Sequence, residues 1–344
     1  MKRTGKLISV IITSLMGLAL ASCHDAPDFD NDLYGNFDAL AEIIDTRYCF
    51  FEAKDIDWSE VTARYRAELK PSMTVVEFFD VCARMLDELK DGHVNLSSNF
   101  NTSYYRKWWT DYPQDFNLRV LQEYYLDFDY MQTSGISYKV LDGHIAYMYY
   151  PSFSSGISEL NLDYILTLLK DCDSMILDIR NNGGGLLSNV GVLVGRFIDK
   201  EIPGGSIRHK TGPGHNDFSE PYGITYKPSA NRVHWSTDKP VYILTNRSCF
   251  SAANDFVAVM KSLPNVKIVG AKTGGGGGLP WSSELPIGWS LRFSASPMTA
   301  PDGTITEFGI EPSPGYEKHS PDNLLIEGRD QILDFAISLC EGIK

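Results

Sequence analysis

The sequence predicts an α/β core preceded by a helical cap. Between residues 34 and 90 apolar side chains recur at helical spacing, whereas beyond Ile136 short β-rich runs alternate with helical ones. Two of those runs break in small-residue turns and hand over to an apolar helix: Ser174–Arg180 into Asn181-Asn-Gly-Gly-Gly185, and Pro240–Thr245 into Asn246–Ser251. Strand, glycine or hydroxyl turn, helix is the pattern of a sheet buried on both faces.

The first stretch is set apart from the fold. Lys2, Arg3 and Lys6 precede an apolar run from Leu7 to Leu20, and Leu20-Ala-Ser-Cys23 follows. This order resembles a bacterial lipoprotein signal peptide over residues 1–22, which implies cleavage before Cys23, lipidation of that cysteine and a lipid anchor in the bacterial cell envelope, at the outer membrane. Residues 23–33 are acidic and turn-rich and read as a tether.

Residues 34–98 read as an N-terminal helical domain of three helices. Phe37, Leu40, Ile43 and Ile44 mark the first, and Val61, Tyr65 and Leu69 the second. Asp57-x-x-Glu60 and Thr74-x-x-Glu77 are capping boxes, each able to satisfy two N–H groups that a helix start leaves unpaired. The third helix runs from Val75 to Leu89 and stops at Lys90-Asp91-Gly92-His93. Residues 99–135 form a connector rich in Trp108, Trp109, Tyr112, Tyr124, Tyr125 and Tyr130, which are read as packing aromatics.

Residues 136–344 read as the α/β core. Ser137–Val140 and Ile145–Tyr150 flank an Asp-Gly turn and predict a hairpin. A helix over Ile157–Leu169, the strand Ser174–Arg180, a helix over Leu186–Ile198, the strand Pro240–Thr245, a helix over Ser251–Leu263 and the strand Val266–Gly270 follow, with a docked helix over Glu327–Leu339. The segment 199–238, rich in Gly, Pro and His, reads as a surface excursion.

A net charge of −13 and a pI near 5.0 exclude a nucleic-acid surface, which needs clustered Lys and Arg. Cys49, Cys82, Cys172, Cys249 and Cys340 show no metal-ligand spacing and read as buried apolar residues, though one pair could form a disulfide. His144 falls in the hairpin turn, and His209, His215, His234 and His319 lie in polar stretches. No metal or cofactor is expected. The run Gly274–Gly278 follows Lys272 instead of preceding it, so it does not fit a phosphate cradle.

Chemistry is expected in the turns at the carboxyl ends of the strands. Ser251 stands where strand becomes helix, and two readings apply. It caps the helix, or it is a nucleophile beside the free N–H of Ala252. The turn Asn181–Gly185 is likewise either a tight connection or a set of bare N–H groups aimed at a carbonyl.

Leu-Lys-Asp-Gly-His93, Leu177-Asp-Ile-Arg-Asn-Asn-Gly-Gly-Gly185, Phe250-Ser-Ala-Ala-Asn-Asp255 and Val269-Gly-Ala-Lys-Thr-Gly-Gly274, in this order, resemble the carboxy-terminal processing and tricorn-type serine peptidases. The resemblance implies a β-α superhelix core related to ClpP and the crotonases, a helical cap and a polypeptide substrate. The connector is too short for a PDZ module. The resemblance makes Ser251 the nucleophile and gives the oxyanion hole to the N–H groups of Ala252 and Gly184. In the tail-processing branch a lysine follows the nucleophile by 25 residues, a place held here by Gly276, which leaves Lys272 as the alternative base. The tricorn-type branch uses a histidine after the helical segment, and His93 matches it, with a titration expected near ~6.5. Gly92 replaces the serine of that pattern. Glu307 is the relay residue implied behind His93, at a spacing one residue short, and Glu311 is its alternate.

The resulting expectation is a serine endopeptidase of the cell envelope acting through a Ser251 acyl-enzyme. Two other readings are a catalytically silent lipoprotein that binds peptides or glycans on the same scaffold, and a Ser251/Lys272 dyad peptidase.

Overall fold

The computed structural model describes residues 29–142 and 144–342. The signal peptide and the lipidation of Cys23 lie outside the described residues. Helix α1 spans Leu33–Arg47 and starts one residue earlier than expected, because Asp32 accepts the Gly35 N–H at 2.8 Å. Asp57 caps α2 (Trp58–Arg66), and the full capping box of Thr74 and Glu77 opens α3 (Val75–Asp87). The chain leaves α3 through Lys90, at φ +47°, and enters strand β1 (Asn95–Ser97).

The core is a six-stranded sheet in the order β2 (Met131–Thr133), β3 (Ile136–Leu141), β4 (Ile145–Tyr149), β5 (Ser174–Asp178), β8 (Val241–Thr245) and β9 (Val266–Gly270). From β4 onward the pairing is parallel, and Met148, Leu177, Ile243 and Ile268 stand in register across it. These side chains face α4 (Glu159–Leu169), α5 (Leu187–Val194) and α6 (Ala252–Met260). The alternate residues Tyr147, Ile176 and Leu244 face α7 (Gln331–Glu341) through Ile332, Leu333 and Ala336. Both faces are covered, which is why the strands read as unbroken apolar runs; each large buried side chain contributes ~1.5–3 kcal/mol. Buried Arg180 joins Asp178 of β5 at 2.6 Å to Asp330, the cap of α7, at 2.7 Å.

A second, five-stranded sheet is built around one long strand. Strand β11 (Ser290–Thr299) pairs with β1, with β10 (Gly278–Glu284) and with β6 (Ile202–Ile207), and β6 pairs with β7 (Tyr222–Tyr226). The segment 199–238 is therefore no mere excursion, since β6 and β7 belong to this sheet. The helical cap packs on it: Phe37, Leu40, Phe78 and Met85 share one core with Leu291 and Phe293 of β11. Cap and core are joined by strand pairing as well as by side chains, so residues around β1 are held against β11. The five cysteines of the described region are buried and free. No helix among the described residues is long and apolar enough to cross a membrane.

Candidate active site

Ser251 sits between the end of β8 and the first turn of α6 with φ +56° and ψ −122°. A non-glycine residue held there stores on the order of 1–3 kcal/mol of strain. Its backbone N–H donates to the Gly275 carbonyl at 2.8 Å, which fixes the turn, and its side chain makes no capping bond to the helix. The capping role expected of a serine at this place is absent. The strained turn instead lifts the hydroxyl off the helix start, as a nucleophile elbow does.

His93 meets it. The imidazole Nε2 lies 3.0 Å from Ser251 Oγ, across 158 residues of chain. Two features place the ring: the His93 N–H donates to Asp91 Oδ1 at 2.8 Å, and Asn95 of β1 pairs with Arg292 of β11. Phe250 packs on the ring at 4.7 Å. His93 is 3% exposed, and this burial pushes its pKa down to about 4, well below the expected ~6.5. The ring is thus a neutral base at physiological pH. No side chain among the described residues bonds Nδ1, and the Gly278 carbonyl beside the ring opposes the downward shift.

Glu307 is brought into the site but not onto His93. Its Oε1 closes on Lys54 Nζ at 2.6 Å, and Oε2 accepts the Gly277 N–H at 3.0 Å. The same ammonium lies 3.6 Å from Asp91 Oδ2, which also accepts the Tyr48 hydroxyl at 3.0 Å. A buried chain of Glu307, Lys54 and Asp91 therefore reaches the His93 backbone and not Nδ1. Burial and the Asp91 charge push the Glu307 carboxyl up to about 8, against the pull of Lys54. Burial also acts on Asp91, but Lys54 outweighs it and holds that carboxyl down. Lys54 and Tyr48 carried no sequence signal, being a single lysine and a single tyrosine in a cap helix and its turn. Asp91 stood in the Lys-Asp-Gly-His string and was readable as an aspartate able to turn back on the following N–H.

Gly184 lies against the nucleophile. A Cβ there would fall 2.6 Å from the Phe250 carbonyl oxygen and 2.8 Å from Ser251 Cβ, and φ is +95°. Only glycine fits. Its N–H, expected to be free for an oxyanion, donates to Asn182 Oδ1 at 3.0 Å. Asn182 Oδ1 also accepts from Phe153 N–H, and its Nδ2 donates to the Tyr150 carbonyl at 2.9 Å, so this buried amide bolts the turn in place. The Ala252 N–H, first in α6, has no protein acceptor among the described residues.

The alternatives pair with each other. Lys272 Nζ binds Glu311 Oε1 at 2.7 Å, with both side chains part-exposed, and makes no hydrogen bond to Ser251. Gly92 has a steric reason: a Cβ there would stand 2.6 Å from Trp108 Nε1 and 2.9 Å from Phe250. Trp108 stacks on Phe250 at 4.2 Å, so one connector aromatic is a wall of the site and not only packing.

Two cavities meet at Ser251. One, of about 630 Å³, lies on the His93 side and is lined by Arg106, Trp108 and Arg292; the other, of about 270 Å³, lies on the Ala252 side. A hydroxyl, a neutral imidazole and an unpaired N–H at a helix start are the parts that acyl transfer uses.

The chain is similar to known peptidases. Residues 144–313 match the model of peptidase family S41, and residues 29–87 that of the tricorn protease C1 domain. The crystal structure of a candidate peptidase from Parabacteroides merdae is 44% identical, covers 90% of this chain and 97% of its own, and superposes with a TM-score of 0.85. The “Probable CtpA-like serine protease” of Staphylococcus haemolyticus is 31% identical over 153 residues, 43% of this chain and 29% of that protein. The carboxy-terminal processing protease CtpB of Bacillus subtilis is 24% identical over 189 residues, 53% of this chain and 36% of that protein. The chain thus spans about a third of the length of these curated relatives. The chain belongs to peptidase family S41.

Proposed function

We propose that this protein is a serine endopeptidase that cleaves polypeptides through a Ser251 acyl-enzyme, with His93 as its base. The observation that carries this is the 3.0 Å contact between His93 Nε2 and a Ser251 Oγ held on a strained turn. His93, neutral above about pH 4, takes the hydroxyl proton as Ser251 attacks the scissile carbonyl. The Ala252 N–H, at the positive end of α6, faces the oxygen that becomes negative. The imidazolium then returns its proton to the leaving amine, and water repeats the sequence on the ester. Lys54, Asp91 and Glu307 act as positioning residues, since they hold the loop from which His93 projects. Gly184 contributes close approach to Ser251, with its N–H shared with Asn182.

The pairing of Lys272 with Glu311 speaks against a Ser/Lys dyad. The sequence features of residues 1–23 support a lipid-anchored location in the bacterial envelope, facing polypeptides there. Hydrolysis of an unfolded protein substrate by the wild type and by Ser251→Ala, read by mass spectrometry of the products, tests the activity. Equal cleavage by both would assign the scaffold to binding instead.

A further inference from the structure

The cavity on the Ala252 side of Ser251 contains a charge that the proposed reaction does not use. Asp255 lies in the first turn of α6, four residues beyond the nucleophile, which at 1.5 Å per residue is about 6 Å deeper along the helix. It is 6% exposed and lines this cavity of about 270 Å³. Its Oδ2 accepts the Tyr226 hydroxyl at 3.1 Å, and no ion pair engages it among the described residues. The neighbouring polar side chain, Asn254, is spoken for, donating to the Thr306 carbonyl at 2.9 Å and accepting the Thr273 hydroxyl at 2.6 Å. Arg292, on the wall shared with the other cavity, reaches towards Asn95 Oδ1 at 3.4 Å. Thr306 also lines it, with its hydroxyl given to the Met298 carbonyl, and Leu186, Leu187 and Met298 supply apolar wall.

Which side of the scissile bond this cavity serves follows from the chemistry. The base that hands its proton to the leaving amine must lie on the leaving-group side, and the N–H that holds the carbonyl oxygen on the acyl side. His93 lines the larger cavity and Ala252 the smaller, so the smaller takes the side chain of the residue whose carbonyl is attacked.

We propose that this cavity selects peptides with a lysine or arginine at the residue whose carbonyl Ser251 attacks, and that Asp255 is the specificity residue that pairs with it. A buried carboxylate without a cation is costly, and an incoming ammonium or guanidinium removes that cost while its methylene stem lies along the leucines and the methionine. Burial, the main influence on Asp255, pushes its pKa up to about 6, as expected of a carboxylate waiting for a partner. The proposal rests on the peptidase reading for the identity of the ligand, and its test is built to fail separately.

Two peptides differing only in lysine or norleucine at that residue are compared. Calorimetric binding to Ser251→Ala reads the pocket without turnover, and kcat/KM on the wild type reads it with turnover; fluorophosphonate labelling of Ser251 reports on the peptidase reading alone. The lysine peptide should be favoured about 10- to 100-fold, the worth of one charge-assisted bond. Asp255→Asn, which keeps an acceptor for Tyr226, should collapse that ratio towards one, and Asp255→Glu should retain most of it. Equal or weaker binding of the lysine peptide to Ser251→Ala, or a ratio unchanged in Asp255→Asn, would overturn the proposal.

Discussion

The carboxylate of Glu307 closes on the ammonium of Lys54 at 2.6 Å and leaves the His93 ring alone. Because Lys54 also faces Asp91, one cation serves two buried carboxylates, and the loop bearing His93 is tied to the glycine run 274–278 through it. Removing the cation leaves the Asp91 charge unpaired and pushes the Glu307 carboxyl further towards its protonated form. Lys54→Met should destabilise the fold by about 3–5 kcal/mol, and adding Glu307→Gln should recover part of that loss. Urea denaturation of the single and double variants checks this; additive losses would contradict the shared cation.

The absence of a side chain at residue 92 follows from Trp108. Gly92→Ser should push the Trp108 indole off Phe250, seen as a shift of tryptophan emission, and lower peptide hydrolysis at least tenfold, about 1.4 kcal/mol of barrier. Gly92→Ser combined with Trp108→Ala should fold more stably than Gly92→Ser alone.

Gly184 is constrained more tightly, by both its φ of +95° and the Ser251 side chain against it. Gly184→Ala should cost ~10²-fold or more in kcat, because even an ångström of displacement at the nucleophile removes catalytic alignment. Steady-state kinetics on folded variant is the measurement.

The pH dependence distinguishes a buried histidine from an ordinary one. With burial pushing His93 down to about 4, the base is neutral above that value, so on the norleucine peptide, which does not use the Asp255 charge, kcat/KM should fall only as pH drops through about 4 and stay level between about pH 5.5 and 7.5. A half-maximal rate near ~6.5 would indicate an exposed imidazole. The same shift has a stability sign: between about 4 and ~6.5 the unfolded histidine binds the proton that the folded one refuses, so His93 makes stability fall on acidification through that window.

Much of this was legible in the sequence where local physics governs. The strands of the six-stranded sheet are continuous apolar runs because both faces are covered, and the Ser251 and Asn181–Gly185 turns announce themselves by residues that tolerate unusual φ. The second sheet was not legible. β6 contains Pro203, Gly204 and Gly205, and β10 contains Pro280 with a bulge beside it, so neither carries a β-rich signature. Their pairing with β11 spans long stretches of chain, and burial against a distant cap overrides weak propensity. The site divides the same way. Ser251 and His93 could be named from their motifs, whereas Lys54 enters through a turn of the cap, and Glu307 was expected on His93 because nothing in the sequence shows that a lysine intervenes. Asn182 stood inside a readable turn, but its role as a bolt depends on the Tyr150 and Phe153 backbone.

The account rests on His93 activating Ser251, and the rate at which a fluorophosphonate labels Ser251 measures that step directly. His93→Ala should slow labelling by at least ~10³-fold, whereas Lys272→Ala, which breaks only a part-exposed pair with Glu311, should label within about threefold of the wild type. Labelling that survives His93→Ala and is abolished by Lys272→Ala would contradict the account and assign the base to the lysine.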